Sequence, residues 1–221
     1  MNLFRLTHRA PLIQEAQKDT EKMLELGQDM FRHLTQAWTG ETDPDQLEEL
    51  KKQDKLINSL HRGVRKKVYE HLSLTGNESL FAALVLLSIV DDSERIGDYG
   101  KNIAELISFN PGRLDFGKYQ ETFERVWNQS TEMFENTIKA IRDDDEKSAL
   151  KVMEAYVPIS NTVDDLIERM FKEESGDTIK REYVALMLLM RYFKRVDAHL
   201  KNIASTVVNP FHRIGYKAKS K

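Results

Sequence analysis

The chain repeats itself at a spacing of one hundred residues. Thr75-Gly76-Asn77 returns as Ser175-Gly176-Asp177, the run Leu84 to Val90 as Val184 to Met190, and Lys101-Asn102-Ile103-Ala104 as Lys201-Asn202-Ile203-Ala204. Arg95-Ile96 likewise answers to Arg195-Val196. A duplication on this scale means that both halves adopt one unit, so the fold has to be two copies of a unit half as long as the chain. Each half is long enough to bury a modest core.

The unit reads as helical. Ten glycines and five prolines in 221 residues fall well short of the ~26 that average usage gives, which argues against turn-rich sheets. The sparse turn signals are Pro11, the stretch from Gly40 to Asp45, Thr75-Gly76-Asn77, Asn110-Pro111-Gly112, Asp143-Asp144-Asp145, Ser175-Gly176-Asp177 and Asn209-Pro210. They leave six segments of helical length, predicted at 11–38, 45–74, 78–109, 116–142, 145–174 and 178–208. Asn77, Asp177 and the run Asp143 to Asp145 are placed to cap the helices that follow, because their oxygens accept otherwise unpaired N–H groups. Pro158 is expected to kink or break the fifth helix. The expected architecture is all-α, with two tandem antiparallel three-helix bundles over 1–111 and 112–221, joined at Pro111-Gly112.

Charge and composition exclude several classes. With 33 basic and 36 acidic residues the net charge is −3, which gives no drive toward nucleic acid. Cysteine is absent, so disulfides, thiolate metal sites and a cysteine nucleophile are all excluded. The longest apolar stretch, Phe81 to Val90, is shorter than the ~20 residues of a membrane span. Met1 to Ala16 carries no apolar signal core, and a cytoplasmic setting is expected. None of the six histidines follows a glutamate by three residues, which excludes the di-iron bundle pattern. With no His-Glu-x-x-His, phosphate-cradling glycine loop or Gly-x-Ser-x-Gly elbow, no catalytic residues are assigned and no enzymatic activity is expected.

The chemistry-bearing feature is a stripe on the third helix. At 100° per residue Asp91, Glu94, Asp98, Asn102 and Glu105 fall within an arc of roughly 80°, opposite Ile89, Ile96 and Ile103. Stacked carboxylates at i, i+4 repel unless a cation sits over them. Asp54, Asn58 and His61 share a face of the second helix and could aim at the same point, an oxygen-rich set with imidazole that suits hard or borderline divalent and trivalent ions. A solvated acidic face is the alternative, and so is a salt bridge from Arg65. The aromatics Phe31, Trp38, Trp127, Phe134 and Phe171 are expected in the core, and His199 as a structural polar residue. The basic end, Arg213, Lys217, Lys219 and Lys221, is expected as a frayed, solvated terminus.

The string Glu94-Arg95-Ile96-Gly97-Asp98-Tyr99-Gly100-Lys101-Asn102-Ile103-Ala104-Glu105 resembles the E-R-I-G-D-H/Y-x-x-N-I-A-E signature of the PhoU proteins, regulators of phosphate uptake. The duplicated six-helix pattern extends the resemblance over essentially the whole chain. It implies a non-enzymatic negative regulator, cytoplasmic and often dimeric. The implied partners are a phosphate transporter, of ABC type with its ATPase or sodium-coupled, and a sensor histidine kinase. It also implies metal clusters held by paired E/D-x-x-x-D motifs, and iron, zinc or nickel would fit. Carried over by position, Glu94 and Asp98 are kept, while Asn58 replaces a carboxylate opposite Asp54. The second copy has Lys194 and Ala198 at the ligand positions and Ser205 at the closing glutamate, so metal is expected only in the first repeat, if anywhere, with Lys194 pairing to Asp164 or Glu168. Metal buffering or sensing, and a metal-free interaction module, are the alternatives.

Overall fold

The computed structural model describes residues 10–38, 44–77, 79–109, 114–173 and 178–218. Six long helices carry the fold: α1 (Pro11–Trp38), α2 (Pro44–Thr75), α3 (Leu80–Ser108), α4 (Gln120–Asp143), α5 (Glu146–Glu173) and α6 (Arg181–Val208). No strand occurs among the described residues. Helices α1, α2 and α3 pack mutually, as do α4, α5 and α6, so the all-α pair of three-helix bundles is what forms.

The bundles are not separate bodies. Helix α3 lies against α6 and α1 against α4, and the aromatic core bridges this junction. Phe31 of α1 stacks on Trp127 of α4 with ring centres 4.1 Å apart and planes within 9°, and also meets Phe134 and Phe193. Ring pairs of this kind add about 0.5–1.5 kcal/mol beyond the apolar area they bury. Ile89, Ile96 and Ile103 are all buried, as the opposite-face reading of α3 requires. Phe171 departs from expectation: it is 73% exposed on α5, one residue past buried Met170 and so turned off the apolar stripe. The side chain of Trp38 lies outside the described residues.

Helix boundaries differ from the predicted ones where tertiary contacts outweigh local signals. Helix α4 starts at Gln120 rather than 116, because Phe116 and Tyr119 are fully buried anchors, one before and one at the end of a 3-10 turn, Gly117–Tyr119. Phe116 packs on Phe123 with centres 4.7 Å apart. Asn77 does not cap α3 with its side chain. Its backbone carbonyl accepts from Leu80 N–H at 3.2 Å, and Ser79 occupies the cap in a left-handed conformation without a side-chain bond. Asp177 and the joint at Pro111-Gly112 lie outside the described residues. Asp145 does cap α5, accepting from the backbone N–H groups of Lys147 and Ser148 at 3.0 and 3.4 Å. The Ser148 hydroxyl above all, with these backbone bonds and Lys139, holds its carboxyl down to about 2. Pro158 does not break α5, which runs through from Glu146 to Glu173 with Ile159 and Val163 buried just beyond it. Packing of these neighbours offsets the single backbone bond that proline removes.

Candidate functional site

The stripe on α3 faces α2, and a glycine sets how close the two helices come. A Cβ built on Gly97 would lie 3.0 Å from Ile57 Cδ1, so the bare backbone lets buried Ile57 seat closely against α3 without shifting. The antiparallel pairing then puts Asp54 beside Asp98 and Lys101, and His61 beside Asp91.

The two ends of the stripe behave differently. At one end Asp91 is already neutralised: His61 Nε2 is 2.8 Å from its Oδ1 and Arg65 Nη1 is 3.4 Å away. The expected salt-bridge competitor is thus realised, but only there. At the other end Glu94, Asp98 and Asp54 remain crowded. Burial raises the carboxyl of Glu94, and the adjacent Asp98 charge raises it further against partial relief from Arg95 and His61. Burial also raises Asp54, with Lys101 easing and Asp98 adding to the shift. Arg95 supplies the local counter-charge, 3.2 Å from Asp98 and 3.8 Å from Glu94. Asn58 turns its amide N–H onto Asp54, donating to the backbone carbonyl at 3.1 Å and to Oδ1 at 3.4 Å.

Among the eight residues singled out, Asp98 stands between Glu94 on its own helix and Asp54 of α2, Asn58 donates to Asp54, and Asp91 with His61 forms a separate pair. Glu105 lies further along α3, with Asp54 on the wall of an open groove of about 620 Å³; Asn102 is half-buried on the same helix. Glu94, Asp98 and Asp54 are oxygen donors of the kind a hard cation takes, with Arg95 compensating Glu94 and Asp98 and Lys101 easing Asp54. Asp91 and His61 do not fit, because each already satisfies the other. Among the described residues no three His, Asp or Glu side chains stand gathered around a single point.

In the second bundle the equivalent face carries its own cation. Lys194 Nζ donates to Asp164 Oδ2, and Arg191 is 4.0 Å from the same carboxylate. Glu168 is taken by Lys172 one turn away, which settles the expected pairing in favour of Asp164.

Two acids that the stripe argument passed over matter more to the structure. Asp92, one residue beyond Asp91 and so rotated toward α6, accepts from Asn202 at 3.2 Å and lies 2.6 Å from His199 Nδ1. Both members of the Asp92–His199 pair are largely buried between the bundles. Asp197 is fully buried in α6, accepts from the Ser130 hydroxyl at 2.9 Å, and is pushed up by burial to about 8. Asp92 could have been found from its position on the side of α3 that carries Tyr99, but Asp197 left no signal beyond an acid within an apolar repeat.

No helix among the described residues is long and apolar enough to cross a membrane. A comparison with curated proteins finds no match. Among solved structures, the chain is similar to PhoU from Pseudomonas aeruginosa, with 19% identity, a TM-score of 0.74, and 90% of this chain and 96% of that one covered. It is also similar to the phosphate transport system regulatory protein PhoU from Streptococcus pneumoniae, at 17% identity and a TM-score of 0.71, covering 89% and 93%. At these identities the likeness establishes the fold. The model of the PhoU domain matches twice, at residues 20–107 and 123–207, and with both repeats and most of the sequence accounted for, the chain belongs to the PhoU family.

Proposed function

We propose that this protein is a non-enzymatic cytoplasmic regulator of phosphate transport, a rigid helical adaptor that docks on a phosphate transporter or its associated sensor kinase and restrains it. Family membership along both repeats carries this reading. The sequence supports it by offering no cysteine nucleophile, phosphate-cradling glycine loop or Gly-x-Ser-x-Gly elbow. Each bundle is taken as one unit, with the boundary near residue 111, and the working form as a homodimer.

A cation bound by Glu94, Asp98 and Asp54 belongs to the same proposal, with iron, zinc or nickel as candidates and the first repeat alone as the site. Such an ion would supply positive charge and open coordination positions to an anionic group. What the chain itself does is line three carboxylates along the α2–α3 face, not around one point, where the burial of Glu94 and Asp54 and the charge of Asp98 between them are only partly offset. Arg95 competes for Asp98, and Lys194 fills the corresponding place in the second repeat.

Deleting the gene in its host is expected to leave phosphate uptake and phosphate-responsive transcription unrestrained, with restoration by the wild-type chain; unchanged uptake overturns the regulatory reading. Elemental analysis of the purified protein tests the ion. Stoichiometric metal that disappears in the Glu94→Ala, Asp98→Ala double variant supports the site, and no metal in either protein overturns it.

A further inference from the structure

The two repeats differ in what becomes of the chain after their last helix. Beyond α6 the segment 209–218 folds back on α6, with its 3-10 turn Phe211–Arg213 against α3. Gly215 is clamped there: its N–H donates to Ser205 Oγ at 2.7 Å and its carbonyl accepts from Lys201 Nζ at 2.7 Å. Asn209 closes the turn, donating to the carbonyls of Arg213 and Tyr216 at 3.0 and 2.8 Å. Ile214 packs against the core. Gly215 has φ +82, and a Cβ on it would stand 2.8 Å from Asn202 Oδ1, so this seat accepts glycine alone. Arg213 and Lys217 of the basic end are therefore tied into the fold rather than frayed, while Lys219 and Lys221 lie outside the described residues.

Beyond α3 the homologous stretch goes elsewhere. Arg113-Leu114-Asp115-Phe116 stands one hundred residues before Arg213-Ile214-Gly215-Tyr216. Leu114 and Phe116 are buried, and Phe116 packs on Phe123 of the second bundle. The first bundle thus gives up its own covering segment to make the connection. The positions equivalent to Lys201, Ser205 and Asn209, which hold the tail, are Lys101, Glu105 and Phe109. All three line the open groove of about 620 Å³ between α2 and α3, with Leu50, Asp54 and Ala104. Phe109 is 71% exposed, an aromatic surface left open among the described residues.

We infer that this groove receives a polypeptide turn from a partner protein, of the chemistry that the tail shows in the second repeat: an aliphatic residue followed by a glycine in the left-handed conformation. Lys101 donates to the glycine carbonyl, Glu105 accepts from its N–H, and Asn102, the counterpart of Asn202, excludes any side chain at that position. The aliphatic residue covers Ala104, Leu50 and Phe109. Neither the cation nor the phosphate reading enters this inference.

The test uses full-length protein in metal-free buffer and a fluorescent peptide of the sequence Asn209 to Ala218, the chain's own example of the turn. Saturable binding is expected, weakened about tenfold by a Lys101→Ala, Glu105→Ala double change, which removes two exposed polar contacts. Thermal melting of the double variant checks that it folds. A peptide with alanine in place of the glycine is expected to weaken by at least as much. A photo-crosslinker at the isoleucine of the peptide should label Leu50, Ala104 or Phe109. Absence of binding up to about 1 mM, equal binding to the double variant, or labelling elsewhere, including exchange with the tail on α6, overturns the inference.

Discussion

Asp197 sits on α6 with one oxygen bonded to Ser130 and the other, Oδ1, buried with no partner among the described residues. Burial raises its carboxyl from 3.8 to about 8, so between those values the folded chain holds a proton that the unfolded chain has released. Stability is then fully present below about pH 4 and declines toward pH 8, by up to about 1.4 kcal/mol per pH unit. Asp197→Asn should flatten this dependence, with a higher melting temperature than wild type at pH 8 and a difference that shrinks toward pH 4; parallel pH profiles would exclude the effect. Glu94, also raised, predicts a smaller change of the same sign. In metal-free protein Glu94→Gln should gain a few tenths of a kcal/mol at pH 8 by removing an i, i+4 repulsion, measured by urea unfolding. The acids of α3 could be read in the sequence because helical spacing alone puts them on one face. Which of them lacked a counter-charge could not, since His61 and Arg65 reach Asp91 only once α2 is docked.

At the scale of elements, helix existence followed from the apolar period and scarce turn residues, while helix ends followed from contacts. Phe116 and Tyr119 delay α4 because their burial outweighs an earlier start, and no local signal marks that. The α2–α3 approach depends on Gly97. Alanine there gains about 1 kcal/mol of helix propensity but overpacks against Ile57 by about 1–3 kcal/mol. Gly97→Ala should therefore be net destabilising, and less so in an Ile57→Val background; additive effects in a double-mutant cycle would contradict the contact. For α5, Asp145→Ala should lower the melting temperature above pH 4. The effect should vanish as pH falls through about 2, where the wild-type carboxylate protonates as well.

For the molecule as a whole, the duplication announced two units but not how they join. The junction is apolar at Phe31 and Trp127 and polar at Asp92 and His199. Asp92→Ala would leave His199 buried without its acid and cost roughly 1–3 kcal/mol; calorimetry would then show a lower, still single transition. Two transitions would mean that the bundles are held together by this pair rather than by the rings.

The stacking of Phe31 on Trp127 also bears on how the chain can be divided. Expressed alone, the segment up to residue 109 would present Phe31 as a bare aromatic surface to solvent, and the segment from 114 would present Trp127. Produced together as two polypeptides, these fragments should find each other through the missing ring partner and reconstitute a heterodimeric whole, recoverable by affinity capture of either piece.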